Sequence, residues 1–169
     1  MAALAAAALL LHGGAARAQS HDHSHAQPQA TSKAQKPWGL PGDVRAARRT
    51  IRIRMGDDMR YRPDEIEVGM GDTVRLVVTN EGKLPHEIVL GTRERLDEHA
   101  AEMAQASKRA HAHQDASMAE VKPGATKTIV WKFNRAGEFA FGCLIPGHYE
   151  AGMIGTIRVF AREEEGHKH

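Results

Sequence analysis

The sequence predicts an all-β domain, an antiparallel sandwich of Greek-key type with about seven to eight short strands and one helical insert. Three observations carry this expectation. Apolar and polar residues alternate with period two in several runs between residues 50 and 160. Clusters of Gly, Pro, Asn and Asp separate those runs. One stretch beginning at Arg93 consists of helix formers without Gly or Pro.

The first run is Thr50-Ile51-Arg52-Ile53-Arg54-Met55, followed by Glu65-Ile66-Glu67-Val68 and Thr73-Val74-Arg75-Leu76-Val77-Val78-Thr79. Gly69-Met70-Gly71-Asp72 supplies the turn between the last two. After a loop at Asn80-Glu81-Gly82-Lys83 comes His86-Glu87-Ile88-Val89-Leu90-Gly91, a further apolar run. The stretch RERLDEHAAEMAQASKRAHA then reads as a helix whose apolar positions are mostly alanine, a partly exposed and weakly packed insert spanning about residues 93–117. Lys122-Pro123-Gly124 is a turn, and strands resume at residues 126–133, 137–141 and 153–160. Met55, Met59 and Met70 read as core or edge residues, and Asp57, Asp58 and the acidic run 163–165 as solvated charge.

The flanks carry a different message. The opening MAALAAAALLLHGGAARAQS has an apolar run too short to span a bilayer and closes on Ala16-Arg17-Ala18, which predicts a signal peptide over residues 1–18 and an exported protein. No later segment is apolar and long enough to span a membrane, so none is expected in the mature form. Residues 19–49, poor in aromatic and β-branched side chains, read as a flexible arm containing HDHSH, and residues 162–169 as a charged tail around the domain at 50–161. Without Arg17, 22 of the 23 basic side chains face 21 acidic ones, a balance that argues against nucleic acid as a partner.

Cys143 is the only cysteine, and in an exported chain it has no disulfide partner. It stands in FGCLIPGHYEAGMIG, where His148 and then Met153 follow at intervals of five residues in a loop between two strands. A thiolate, an imidazole and a thioether at the edges of one loop can wrap a soft metal ion. A second imidazole completes a trigonal His₂Cys set with a weak axial sulfur, the arrangement that suits electron-transfer copper. His86, opening a strand after Leu84-Pro85, is the candidate; coordination would also keep Cys143 occupied. Zinc accepts thiolate and imidazole too, but seldom a thioether.

With these residues in view, residues 50–160 resemble the cupredoxins, the blue-copper family that includes plastocyanin, azurin and rusticyanin. The resemblance rests on Cys143, His148 and Met153 in FGCLIPGHYEAGM, on the Ala-Gly-Glu-Phe turn before it, and on His86 in LPHEIVLG. The helical insert and the run DDMRYRPDEIEVGMGDTVRLVVTN make the chain most similar to bacterial copper-tolerance cupredoxins. That resemblance implies a Greek-key cupredoxin sandwich, one type 1 copper held by His86, Cys143, His148 and Met153, and a periplasmic role in copper tolerance. It departs from the electron-transfer members at Glu87, where they commonly carry an Asn that ties the two ligand loops together; an ionised carboxylate can accept such hydrogen bonds but not donate them.

Candidate sites for additional, weakly bound copper are His21, His23 and His25 in the arm and His111, His113 and Met118 at the end of the insert, each segment reading also as solvated polar sequence. The alternative function is an electron shuttle, for which Leu144, Ile145, Pro146 and Tyr149 offer an apolar docking surface beside His148 to a periplasmic redox or copper-handling protein. A copper enzyme needs a second copper with an open position, and multicopper oxidases build theirs from His-x-His pairs and a His-Cys-His run. Gly142 and Leu144 flank Cys143 here. The sequence therefore predicts a non-enzymatic protein, with at most slow oxidation of Cu(I).

Overall fold

The computed structural model describes residues 35–105 and 115–162. Along these run β1 (Leu40–Pro41), a short 3₁₀ turn (Val44–Ala46), β2 (Arg49–Gly56), β3 (Arg60–Arg62), β4 (Glu65–Gly69), β5 (Thr73–Asn80) and β6 (His86–Gly91). After α1 (Arg93–Gln105) come β7 (Met118–Val121), β8 (Thr126–Lys132), β9 (Gly137–Gly142) and β10 (Ile154–Phe160). The strands form two five-stranded sheets, ordered β1-β8-β5-β2-β3 and β4-β10-β9-β6-β7.

Period-two patterning builds the core between the sheets, because alternate side chains of a strand point to one face. Ile51, Ile53 and Met55 of β2 and Val74, Leu76 and Val78 of β5 face inward from one sheet, and Ile66, Ile88, Phe141 and Ile157 from the other. Burying each such side chain stabilises the fold by about 1.5–3 kcal/mol. Trp131, Tyr61, Phe133 and Phe141 are the largest sealed groups, and the Tyr61 and Phe141 rings meet edge to face with centroids 4.9 Å apart.

All seven strands expected from alternation are present, but two pairings run parallel: β2 beside β5 and β4 beside β10. Alternation reports which face a residue takes and nothing about strand direction. The chain crosses to the second sheet for β4 before returning as β5, and a crossover of that kind delivers a neighbour running the same way. The additional strands β1, β3 and β7 have two to four residues each, too short to show a period.

The ordered structure also begins earlier than residue 50. Leu40 and Pro41 pair with Lys132 and Trp131, and the Trp131 indole N–H donates to the Trp38 carbonyl at 2.8 Å. Lys36 bonds the Asp115 carboxylate and donates to Ser117 Oγ at 3.1 Å. Gly39 permits the approach: its φ is +123°, and a Cβ there would lie 2.3 Å from the Lys132 carbonyl oxygen. About the second half of the expected arm is thus part of the sandwich, seated by one tryptophan pair that composition could not reveal.

Thr92 caps α1 by accepting the Arg95 N–H at 3.2 Å. The helix buries only Leu96 and Ala100, against Ala140 and Leu144, which matches the alanine-rich, weakly packed insert expected. No helix among the described residues is long and apolar enough to cross a membrane.

Candidate metal centre

β9 ends at Gly142 and β10 begins at Ile154, so Cys143 and Met153 stand at the two feet of one loop, tied by the Cys143 N–H to the Met153 carbonyl at 3.1 Å. Inside the loop, the Met153 N–H donates to the His148 carbonyl at 3.1 Å and the His148 N–H to the Ile145 carbonyl at 2.9 Å. Gly147 and Gly152, each with φ of 90°, allow the tight reversals between these bonds. The backbones of Cys143, Met153 and His148 are thereby chained together.

His86 is the first residue of β6, in the same sheet as β9. The loop that delivers it is pinned by Asn80, fully buried at the end of β5, whose amide donates to the Leu84 and Val121 carbonyls at 2.8 Å each and accepts from the Gly82 N–H at 2.9 Å. The two loops meet. His86 Nδ1 lies 3.2 Å from His148 Nδ1, and Cys143 Sγ lies 3.4 Å from His148 Nδ1. Among the described residues, His86, Cys143 and His148 are the one group of three or more His, Cys, Asp or Glu side chains whose donor atoms all fall within 4.8 Å of each other. Donors bonded at about 2.0–2.3 Å to a shared ion, roughly 100–120° apart, lie about 3.2–3.8 Å from one another. The spacing and the donor types both fit a soft ion with trigonal coordination.

Glu87 links the two ligand loops by two bonds and holds β3 by a third. Its N–H points at Cys143 Sγ (3.4 Å), its carbonyl accepts the Tyr61 hydroxyl (2.6 Å), and its carboxylate accepts the Leu144 N–H (2.9 Å). A tie between the loops is therefore made despite the departure from Asn, through a carboxylate that accepts. Burial raises the Glu87 carboxyl above its ordinary range, against the opposing pull of the Leu144 N–H. Burial also pushes the Cys143 thiol up to about 11, despite the Glu87 N–H. For His148, burial and then the neighbouring His86 lower the pKa and favour the neutral ring with a free lone pair.

Met153 is fully buried in the core at the foot of the loop, its backbone bonded to both Cys143 and His148. The expected docking surface needs correction: Leu144 is buried against Leu96 and Ala100, and Tyr149 donates to Asp97 on α1 at 2.5 Å. Leu84, Pro85, Pro146 and Ala151 are the exposed apolar residues of the two ligand loops. Asp58 pairs with Arg62 on the surface, and Asp57, exposed as expected, has a further role: it accepts the Lys83 and Leu84 N–H groups. Those bonds hold its carboxyl below the usual range. Asn80, two residues before Gly82 at a strand end, carried a readable turn signal; Asp57, distant in sequence, carried none. His21, His23, His25, His111 and His113 lie outside the described residues, and Met118 opens β7 opposite Val89, partly buried.

The family model of copper-binding proteins of the plastocyanin/azurin family matches residues 47–160. The chain belongs to this family of cupredoxins. This cupredoxin is 47% identical over 140 residues to the copper-resistant cuproprotein CopI of Rubrivivax gelatinosus, across 82% of this chain and 84% of that one. It is 34% identical over 161 residues to CopI of Pseudomonas aeruginosa, across 79% and 88%. Dithionite-reduced auracyanin from Roseiflexus castenholzii shares the fold with a TM-score of 0.58 at 25% identity, over 68% of this chain and 98% of that chain.

At neutral pH the metal-free cupredoxin carries Cys143 as S–H, so binding through the thiolate must expel that proton. Copper affinity should rise about tenfold per pH unit above the His148 titration and level off near the thiol pKa. Anaerobic Cu(I) titration in weak buffer with a pH indicator should register one proton released per ion between about pH 7.5 and 8.5.

Proposed function

We propose that this cupredoxin is a periplasmic type 1 copper protein that contributes to copper tolerance. His86 and His148 hold the ion through Nδ1, Cys143 through its thiolate, and Met153 supplies the weak axial sulfur. The observation that carries this reading is the convergence of imidazole nitrogens and a thiol sulfur from two loops, His148 Nδ1 lying 3.2 Å from His86 Nδ1 and 3.4 Å from Cys143 Sγ and all three side chains offering donors within 4.8 Å of one another, with His86 and Cys143 sealed from solvent. When bound, copper supplies a one-electron couple between Cu(I) and Cu(II). The chain's own contribution is a donor set fixed in advance by the Glu87, Asn80 and loop hydrogen bonds, so that little rearrangement accompanies a change of charge.

The tolerance role is supported by the relatives at 47% and 34% identity that carry copper resistance in their names, and the periplasmic location by the leader-like first eighteen residues. Disrupting the gene tests it: growth on added copper should fail while respiration in copper-poor medium is normal. The converse pattern would make the protein an electron shuttle, a reading favoured by the exposed Leu84, Pro85 and Pro146 beside the site. The role is storage and one-electron exchange rather than turnover. Steady oxygen uptake after anaerobic Cu(I) loading would contradict that.

Met153→Leu should retain copper and its visible colour while its reduction potential shifts, because an axial thioether tunes the couple more than it holds the ion. Electrochemistry of the variant beside the parent checks this.

A further inference from the structure

The copper reading employs Nδ1 of His86 and leaves its other ring nitrogen unassigned. Nε2 is buried and makes no hydrogen bond. Facing it, 3.5 Å away, is Oδ1 of Asp57. A buried ring nitrogen without a partner is costly, and a carboxylate oxygen is the acceptor that best matches its N–H.

Asp57 is held there by more than chance proximity. It sits in the turn between β2 and β3, and the loop leading to His86 closes on it: the Lys83 N–H reaches both carboxylate oxygens at 2.9 and 2.8 Å, and the Leu84 N–H reaches Oδ1 at 3.1 Å. Gly82 makes room for the carboxylate, since a Cβ at that position would stand 2.1 Å from Asp57 Oδ1. Three backbone contacts and one glycine therefore fix a negative charge opposite the distal nitrogen of a buried histidine.

A neutral imidazole has one N–H. With it on Nε2, the lone pair is on Nδ1, the atom that faces His148 and Cys143. We propose that Asp57 is the positioning residue of the centre: it holds His86 in the Nε2–H tautomer and makes the imidazole a stronger donor, which favours the more highly charged Cu(II) over Cu(I). This rests on the copper reading above, and it adds a residue that never touches the ion. Carboxylates placed behind ligating histidines typically contribute a factor of about 10–100 in metal affinity.

The first experiment uses the metal-free protein. Nitrogen-15 NMR of the His86 ring should show the Nε2–H tautomer; Nδ1–H would overturn the proposal without any variant. The second uses Asp57→Asn, which keeps an oxygen for the Lys83 and Leu84 N–H groups and removes the charge. Its Cu(II) affinity should fall about 10–100-fold, its Cu(I) affinity should fall less, and its reduction potential should rise while the visible band persists. A folded variant with parental potential and affinities would overturn the proposal. Failure of the copper reading itself is distinguishable, because the parent protein would then show no visible band with Cu(II), whatever residue stands at 57.

Discussion

Cys143→Ser should fold, and its Cu(II) form should lack the intense visible absorption of the parent. The colour of such a centre comes from charge transfer out of a thiolate sulfur, and serine offers a harder, less reducing oxygen that is protonated at any accessible pH. The sulfur lies 3.4 Å from both the Glu87 nitrogen and His148 Nδ1, and the oxygen is smaller, so it also fills the position less well. Visible absorptivity should drop by about tenfold or more, and copper affinity with it. Burying the hydroxyl costs about 1–3 kcal/mol, which a sandwich with this core should tolerate. Optical titration with Cu(II), next to circular dichroism of the metal-free variant, gives both readouts. A variant that kept its colour would remove Cys143 from the ligand set.

Trp131→Ala should be the most destabilising single change away from the metal centre. The side chain is fully buried on β8, flanked by β5 at Val74 and by β1 at Pro41, and its N–H secures the Trp38 carbonyl. Truncation leaves a large cavity and an unpaired carbonyl, a cost of about 3–5 kcal/mol. For a unit of this size the melting temperature should fall by roughly 10–20 °C. Trp131→Phe restores most of the volume but not the hydrogen bond, and should cost about 1–3 kcal/mol. Urea unfolding of the two variants separates packing from the bond. A loss under about 1 kcal/mol for the alanine variant would mean that the segment at residues 35–41 and β8 closes the gap by shifting.

The seven longer strands were legible in residues 50–160 because a strand with one buried face must alternate, and Ile51-Arg52-Ile53 or Val74-Arg75-Leu76 can hardly do otherwise. The candidate donors were legible for a chemical reason: Cys143, His148 and Met153 fall at the two feet and the middle of one loop. What escaped depends on contacts between distant residues. Strand direction in β2 and β5 follows from where β4 lies, and the seat of residues 35–41 follows from Trp38 meeting Trp131. Leu144 lies among apolar loop residues in sequence, and only the position of α1 turns it inward. Asp57 resembled its neighbour Asp58 until the turn carrying it met the loop before His86.

Of the four proposed donors, His148 alone is partly exposed, while His86, Cys143 and Met153 are sealed behind it. With that ligand set, entry of the ion and traffic of the electron would share a single doorway, hinged on one imidazole. Whatever covered that doorway would slow both together, so a partner that shielded the copper from loss would also gate its redox exchange.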